Sequence, residues 1–134
     1  MDSTTITFHT GNRAAVVDIT DKVAGFVSGK GDGLLSVFAL HATAGLAFME
    51  TGSGSEEDLL GRLDELLPRD DRYRHRHGAA GHGADHLLPA LIAPSLVIPV
   101  EGGRPVLGTW QAVVLVDLNR DNPERRVRLS FLPS

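Results

Sequence analysis

The sequence contains no cysteine. It therefore has no disulfide framework, no thiolate metal site and no cysteine nucleophile. The first residues, Met1–Thr5, do not form the basic and apolar regions of a signal peptide. No apolar run approaches the roughly 20 residues that a helix needs to span a bilayer. Together these absences predict a cytoplasmic protein with no membrane segment.

Positive charge is not in excess either, because the formal net charge is −4. A broad basic surface for nucleic acid is thereby excluded, and the few aromatic residues do not interleave with basic ones. The 134 residues predict one domain, 1–134. A chain of this length buries about two-thirds of the surface that it exposes when unfolded, so it can hold a real core.

Hydrophobic patterning predicts both strands and helices. The run Leu34–Leu40 is nearly continuously apolar and predicts a strand buried on both faces. Val106–Val116 is the longest predicted strand and a central one, and Arg126–Phe131 alternates cleanly and ends the sheet. Further strands are predicted at Thr5–His9, Ala14–Ile19, Gly45–Met49 and Leu96–Val100, and helices at Asp21–Ser28, Ser55–Leu67 and Leu87–Ile92.

The most unusual stretch is His75–His86, where four of the six histidines fall within twelve positions among small residues. Imidazole acts as acid or base near pH 7 and is the commonest metal ligand in proteins. A histidine-rich loop is therefore the first place to look for chemistry, with a solvated polar loop as the equally weighted alternative. Within it, His77 and His82 fit loop polar groups better than ligands.

Two further polar residues follow predicted strands. His41 ends the strand Leu34–Leu40, and Glu50 ends the next strand. A histidine at the end of a buried strand is held by rigid scaffold and can reach a pocket mouth. The two side chains come close only if their strands are suitably placed, which the sequence leaves open.

Four segments and one histidine spacing form a recognisable pattern. The segments are 41–46 (HATAGL), 73–75 (YRH), 95–100 (SLVIPV) and 107–111 (LGTWQ). His86 follows His75 by eleven residues. Together these features resemble the YjbQ family, UPF0047, also called the secondary thiamine-phosphate synthase family, which has the same histidine spacing. The segment LGTWQ together with this spacing is specific, whereas one piece alone is not.

This resemblance implies a compact, sheet-rich α+β domain with sandwich-like sheets and two or three helices, assembled as a homotrimer. It implies a polar pocket holding His41, His75 and His86, with Glu50 and Gln111 matching further family positions. The activity attached to the family joins an aminopyrimidine diphosphate to a thiazole phosphate and releases pyrophosphate. Partners are therefore expected to be a small phosphorylated ligand and further copies of the chain.

The sequence departs from the family pattern around the pocket. Met49, Thr51 and a Gly/Ser loop stand where the family has asparagines and an Asp-Pro pair, and Gly78–Ala80 replaces its acidic stretch. Leu88 replaces a frequent lysine, and His82 is a candidate to substitute in part for the missing polar groups. These departures affect the expected phosphate chemistry more than the expected fold.

We expect His41, His75 and His86 to bind a divalent metal, zinc or magnesium, or an anion when metal is absent. Three histidines with an open fourth position form a known catalytic zinc arrangement. The candidate catalytic residues are His41, His86 and Glu50, the last as a general base or as a partner that orients an imidazole. The candidate ligand-binding residues are Thr43, His75, Gly108, Thr109, Trp110 and Gln111, although Trp110 fits a core position better.

Two classes of function remain open from the sequence. The first is an enzyme of the thiamine-phosphate synthase type, acting on phosphorylated small molecules. The second is a non-catalytic trimeric protein that binds a metal or a phosphoanion.

Overall fold

The computed structural model describes residues 1–78 and 80–134, so the replacement noted at Ala79 lies outside the described residues. Within this part of the chain, eight strands form two antiparallel sheets. The strands are β1 Asp2–His9, β2 Ala15–Asp18, β3 Gly33–Ala39, β4 Ala44–Met49, β5 Ser95–Glu101, β6 Arg104–Pro105, β7 Ala112–Asp117 and β8 Glu124–Pro133. The helices are α1 Thr20–Val27, α2 Ser55–Leu66, α3 His82–Asp85 and α4 Leu88–Leu91.

The larger sheet has the strand order β1-β8-β3-β5-β6, and the smaller has the order β2-β7-β4. Strand β7 is buried on both faces, as the apolar run in its sequence predicts. One face, with Val113 and Leu115, packs against inward residues of the five-stranded sheet and helix α1. The other face, with Val114 and Val116, packs against residues of α2, α3 and α4. The three-stranded sheet is thus the middle layer. Helices α3 and α4 lie on the face that is turned away from the five-stranded sheet.

Three expectations about strands are wrong. Strand β3 is buried on one face only, because Leu34 and Phe38 point outward with 47% and 44% of their surface exposed. The predicted strand Val106–Val116 is not continuous, since β7 begins at Ala112 and residues 106–111 form a connection with a turn. Strand β8 does not end its sheet but lies between β1 and β3, which pair with its two edges.

None of the helices among residues 1–78 and 80–134 is both long enough and apolar enough to cross a membrane. Helix α2, with twelve residues, is the longest of the helices described here.

Candidate functional site

A cluster of imidazoles forms where the loop after α2 meets α3. One ring nitrogen each from His75, His77 and His86 lies within 4.8 Å of the other two. The ring centroids of His75 and His77 are 4.0 Å apart, and those of His75 and His86 are 4.2 Å apart. His77 is exposed and His86 is half-buried, so a ligand can reach the cluster from solvent. Three imidazole nitrogens at this spacing are suited to coordinate one metal ion.

Small residues allow α3 to approach the loop closely. A Cβ atom on Gly83 would lie 2.7 Å from Cβ of Tyr73 and 2.9 Å from the carbonyl oxygen of His75. Gly81 has a φ of 78°, and a Cβ there would lie 2.6 Å from Cβ of Arg69. The hydroxyl of Tyr73 donates to the carbonyl oxygen of Pro68 at 2.6 Å, which fixes the start of the loop. The glycines between the histidines are therefore required by packing.

Behind the cluster, His82 belongs to a buried polar chain. Its Nδ1 lies 3.1 Å from Oδ2 of Asp85, a fully buried carboxylate that also pairs with the guanidinium of Arg69. Its Nε2 lies 2.9 Å from Nε2 of His86. The interpretation of His82 as a loop polar group is wrong, because only 6% of its surface is exposed. The spacing of residues 82, 85 and 86, three and four positions apart, is the sequence signal for one helical face.

Burial and mutual proximity favour the neutral form of His75 and His86. Desolvation lowers the pKa of His86, and the neighbouring histidines lower it further. The pKa of His75 is lowered by the same two causes, with His77 and His82 as its neighbours. At Asp85, burial raises the pKa, whereas Arg69 and His82 oppose that rise. A neutral imidazole has the free lone pair that a metal ligand needs, so these shifts favour metal binding near pH 7.

His41 occupies a different position. It lies between β3 and β4, and its Nε2 accepts the backbone N–H of Arg126 at 2.7 Å. Partial burial lowers its pKa, so the ring is neutral near pH 7 and its Nδ1 carries the proton. His41 therefore offers an N–H donor, and it can ligate a metal only if the bond to Arg126 breaks. In the described residues it is His77, and not His41, that joins His75 and His86.

His41 and His86 nevertheless share an open groove. Its volume is about 690 Å³, and Phe38 and Leu40 contribute exposed apolar surface to it. Pro89, Pro94 and Arg126 complete the groove wall. A ligand lying here would contact apolar surface, the donor on His41 and the arginine, within reach of the edge of the imidazole cluster. The structure thus brings His75 and His86 into one cluster and connects His41 to it through the groove.

Thr43 is buried next to this groove. Its hydroxyl donates to Oδ1 of Asp117 at 3.0 Å. Asp117 also lies 3.1 Å from Nε of Arg125, and both of these charged side chains are almost fully buried. Burial raises the pKa of Asp117, and its contacts with Asn119 and Arg125 oppose the rise. Thr43 therefore supports the end of β7, and its role in ligand binding stays a prediction.

The remaining candidates lie at the other end of the three-stranded sheet. Glu50 is exposed and follows β4 directly, whereas His41 precedes that strand. A six-residue strand spans about 17 Å, so the two side chains are kept apart in one chain. Residues 108–111 lie at the same end as Glu50, because Ala112 pairs with Met49. Within that turn, Oε1 of Gln111 accepts the backbone N–H of Gly108 at 2.9 Å.

Trp110 sits at the tip of this turn with 75% of its surface exposed. The expectation that it is a core residue is wrong, because the chain turns at residues 108–111 and does not continue as a strand. An exposed tryptophan offers a large apolar surface to a partner or a ligand. Its place at this end of the sheet groups it with Gln111 and Glu50, and apart from the histidines.

Comparison with known proteins identifies relatives over nearly the whole chain. The profile of the family described as UPF0047 protein YjbQ-like matches residues 4–134. A UPF0047 protein of Mycobacterium tuberculosis is 61% identical over 132 residues, covering 98% of each chain. The UPF0047 protein YugU of Bacillus subtilis is 31% identical over 126 residues, covering 91% of this chain and 92% of its own.

Solved structures also match the fold over nearly the whole chain. A crystal structure of a YbjQ-like protein of unknown function from Sulfolobus solfataricus gives a TM-score of 0.91 at 28% identity, covering 99% of this chain and 97% of that one. The structure of a hypothetical protein from Aeropyrum pernix gives a TM-score of 0.88 at 36% identity, with both chains fully covered. These matches confirm the expected sheet-rich α+β fold. The chain belongs to the YjbQ-like UPF0047 family.

Proposed function

We propose that this protein binds a divalent metal ion through His75, His77 and His86 and uses it on a phosphorylated small molecule. The observation that carries the proposal is the approach of three imidazole nitrogens to within 4.8 Å of one another. This ligand set differs from the sequence prediction in one member, with His77 in place of His41. His41 is not among the clustered nitrogens of the described residues, and its Nε2 is occupied by the backbone N–H of Arg126.

The chemistry of the donors favours zinc. Imidazole nitrogen is a common zinc ligand, whereas magnesium prefers oxygen ligands and retains its water. Nitrogens around one tetrahedral zinc lie roughly 3.4 Å apart, so side-chain movements of about an ångström would bring these three into place. A zinc ion held by these three histidines would keep a fourth position, where it would polarise a phosphate oxygen or lower the pKa of a bound water.

The groove beside the cluster suits a phosphorylated ligand. The protonated Nδ1 of His41 is a hydrogen-bond donor, and Arg126 on the groove wall is a cation. Both favour an anionic group, and the apolar residues of the groove favour a ring or chain attached to it. An aminopyrimidine diphosphate reacting with a thiazole phosphate, with release of pyrophosphate, is the specific case that we propose to test.

A non-catalytic binding protein is the second candidate, and the position of Glu50 favours it. A carboxylate at the far end of β4 cannot act as a base near His41 within one chain. In the homotrimer that we propose, a neighbouring copy would have to supply it. The outer face of the five-stranded sheet offers an apolar surface for such assembly, with Leu34, Val97 and Leu132 about half exposed.

Metal analysis of the purified protein tests the site. We expect near-stoichiometric zinc in the wild type and zinc affinity at least about 100-fold lower in His86→Ala, because a direct ligand is lost. The His41→Ala variant should retain zinc, and exposed His9→Ala serves as a surface control. Loss of metal in His41→Ala would instead restore the ligand set predicted from the sequence. Wild-type protein that stays metal-free after zinc supplementation would overturn the metal site.

A second assay separates the two candidate functions. If the protein is an enzyme, mixing it with an aminopyrimidine diphosphate and a thiazole phosphate should release pyrophosphate. His41→Ala should then reduce the rate by about 10- to 100-fold, since it removes a donor to the phosphate without removing the metal. Binding of either phosphate compound without pyrophosphate release would support the non-catalytic binding protein.

A further inference from the structure

We infer that His82 is a positioning residue that determines which ring nitrogen of His86 is available to a ligand. The inference concerns the same site as the proposed function and rests on it for its metal-binding consequence. It is carried by a buried chain of contacts from Arg69 through Asp85 and His82 to His86.

This series of contacts starts at the carboxylate of Asp85, which can only accept hydrogen bonds. Asp85 is fully buried and is paired with the guanidinium of Arg69, so it accepts hydrogen bonds and has no proton to donate. Its Oδ2 lies 3.1 Å from Nδ1 of His82, and Oδ2 of Asp121 lies 3.5 Å from the same nitrogen. Two carboxylate oxygens beside one nitrogen place the proton on Nδ1 of His82.

When the ring of His82 carries a single proton, that proton lies on Nδ1, beside the carboxylate oxygens. With Nδ1 of His82 protonated, its Nε2 carries the lone pair and can only accept. The partner at 2.9 Å is Nε2 of His86, which must therefore donate. Protonation of that nitrogen leaves Nδ1 of His86 with the lone pair. The carboxylate thus sets the tautomer of a ring that it does not touch.

The tautomer of His86 decides which of its ring nitrogens can bind a metal. A metal binds the unprotonated nitrogen of a histidine, and the hydrogen bond made by the other nitrogen fixes which one this is. His82 uses both of its ring nitrogens in these contacts, so neither nitrogen is free to bind a metal. We therefore expect a bound zinc to be ligated by Nδ1 of His86.

The tautomers can be measured directly in the metal-free protein by long-range proton–nitrogen NMR of the histidine rings. We expect His82 to be protonated at Nδ1 and His86 at Nε2. In His82→Asn, which can still donate to Asp85 but is too short to accept from His86, the His86 ring should become a mixture of tautomers. A wild-type His82 protonated at Nε2, or an unchanged His86 tautomer in the variant, would overturn the inference.

Zinc competition with a chromophoric chelator adds a second readout. His82→Asn should weaken zinc binding by about 10- to 100-fold, the usual effect of losing a partner of a metal ligand. His82→Gln should retain most of the affinity, because its Oε1 can take the place of Nε2 as acceptor, and His9→Asn should have no effect. Equal zinc affinity in all variants, each folded by thermal unfolding, would contradict the positioning role and leave the metal site intact. Absence of zinc binding in the wild type would overturn the metal site, while the NMR result still decides the tautomer.

Discussion

Replacing Arg125 with methionine should lower the free energy of unfolding by about 3–5 kcal/mol. Arg125 is fully buried, and its Nε lies 3.1 Å from Oδ2 of the buried Asp117. Removing the cation leaves a carboxylate that burial alone would force to take up a proton. Urea unfolding followed by circular dichroism measures the change.

The side chain of Arg125 also connects the loop between β1 and β2 with the loop between β7 and β8. Its guanidinium donates to the carbonyl oxygens of Asn119 at 2.7 Å and Arg13 at 3.1 Å, and it also donates to that of Asn122. Methionine matches much of the volume but supplies no donor, so these carbonyl oxygens lose a partner. The loss should loosen the end of β7, next to Thr43 and the groove that contains His41.

Arg128→Met provides the matched control. Arg128 lies on the same strand, is exposed, and donates to the hydroxyl of Thr5 at 3.2 Å. Its replacement should change stability by no more than about 0.5 kcal/mol. A double variant, Arg125→Met with Asp117→Asn, should recover part of the loss because no buried charge then remains at this position. Equal stability of the two single methionine variants would show that the buried pair contributes little.

Most of the strands and helices, though not α3 or β6, could be predicted from local pattern. Helix α2 follows from leucines at helical spacing that end at Pro68, and β8 follows from strict alternation. The apolar run of β3 was misleading for a physical reason. A strand with one open apolar face looks the same in sequence as one buried on both faces, and only the assembled sheet shows that Leu34 and Phe38 are exposed.

The break before β7 could not be read from the residues either. The run from Val106 is apolar enough for a strand, yet Gln111 bonds the backbone of Gly108 through both its side chain and its own N–H. A side chain that closes a turn competes with a ladder partner, and the sequence does not show which prevails. Glu50 and Gln111 were grouped with the histidines by the family resemblance, which does not show at which end of the sheet each residue lies.

In the candidate site, the histidine spacing identified the loop but did not show which histidines lie close together. His75 and His86 could be predicted because the family resemblance names them. His41 is separated from its partner Arg126 by 85 positions, so no local signal reveals that its Nε2 is occupied. His82 was underestimated because a histidine among glycines looks solvated, whereas close packing of α3 buries it.

Replacing Gly45 with alanine should destabilise the protein by about 3 kcal/mol. It should also weaken the zinc binding that we propose. A Cβ atom at this position in β4 would lie 2.1 Å from the carbonyl oxygen of Ile92 and 2.6 Å from its Cγ2. The chain after α4 cannot move away freely, because the N–H of Leu46 donates to the carbonyl oxygen of Ala93 at 2.8 Å. Relieving the clash would break this bond and push α4, and His86 just before it, away from the sheet.

Gly61→Ala is the control with the opposite sign. Gly61 lies within α2, where an added Cβ meets nothing within 4 Å, so alanine should stabilise the protein by about 0.5–1 kcal/mol. Thermal unfolding and zinc titration on both variants separate the effects. If Gly45→Ala loses stability but binds zinc as the wild type does, the position of α4 is not what holds His86 in the cluster. The contacts of His82 with His86 would then be sufficient to hold the ring in place.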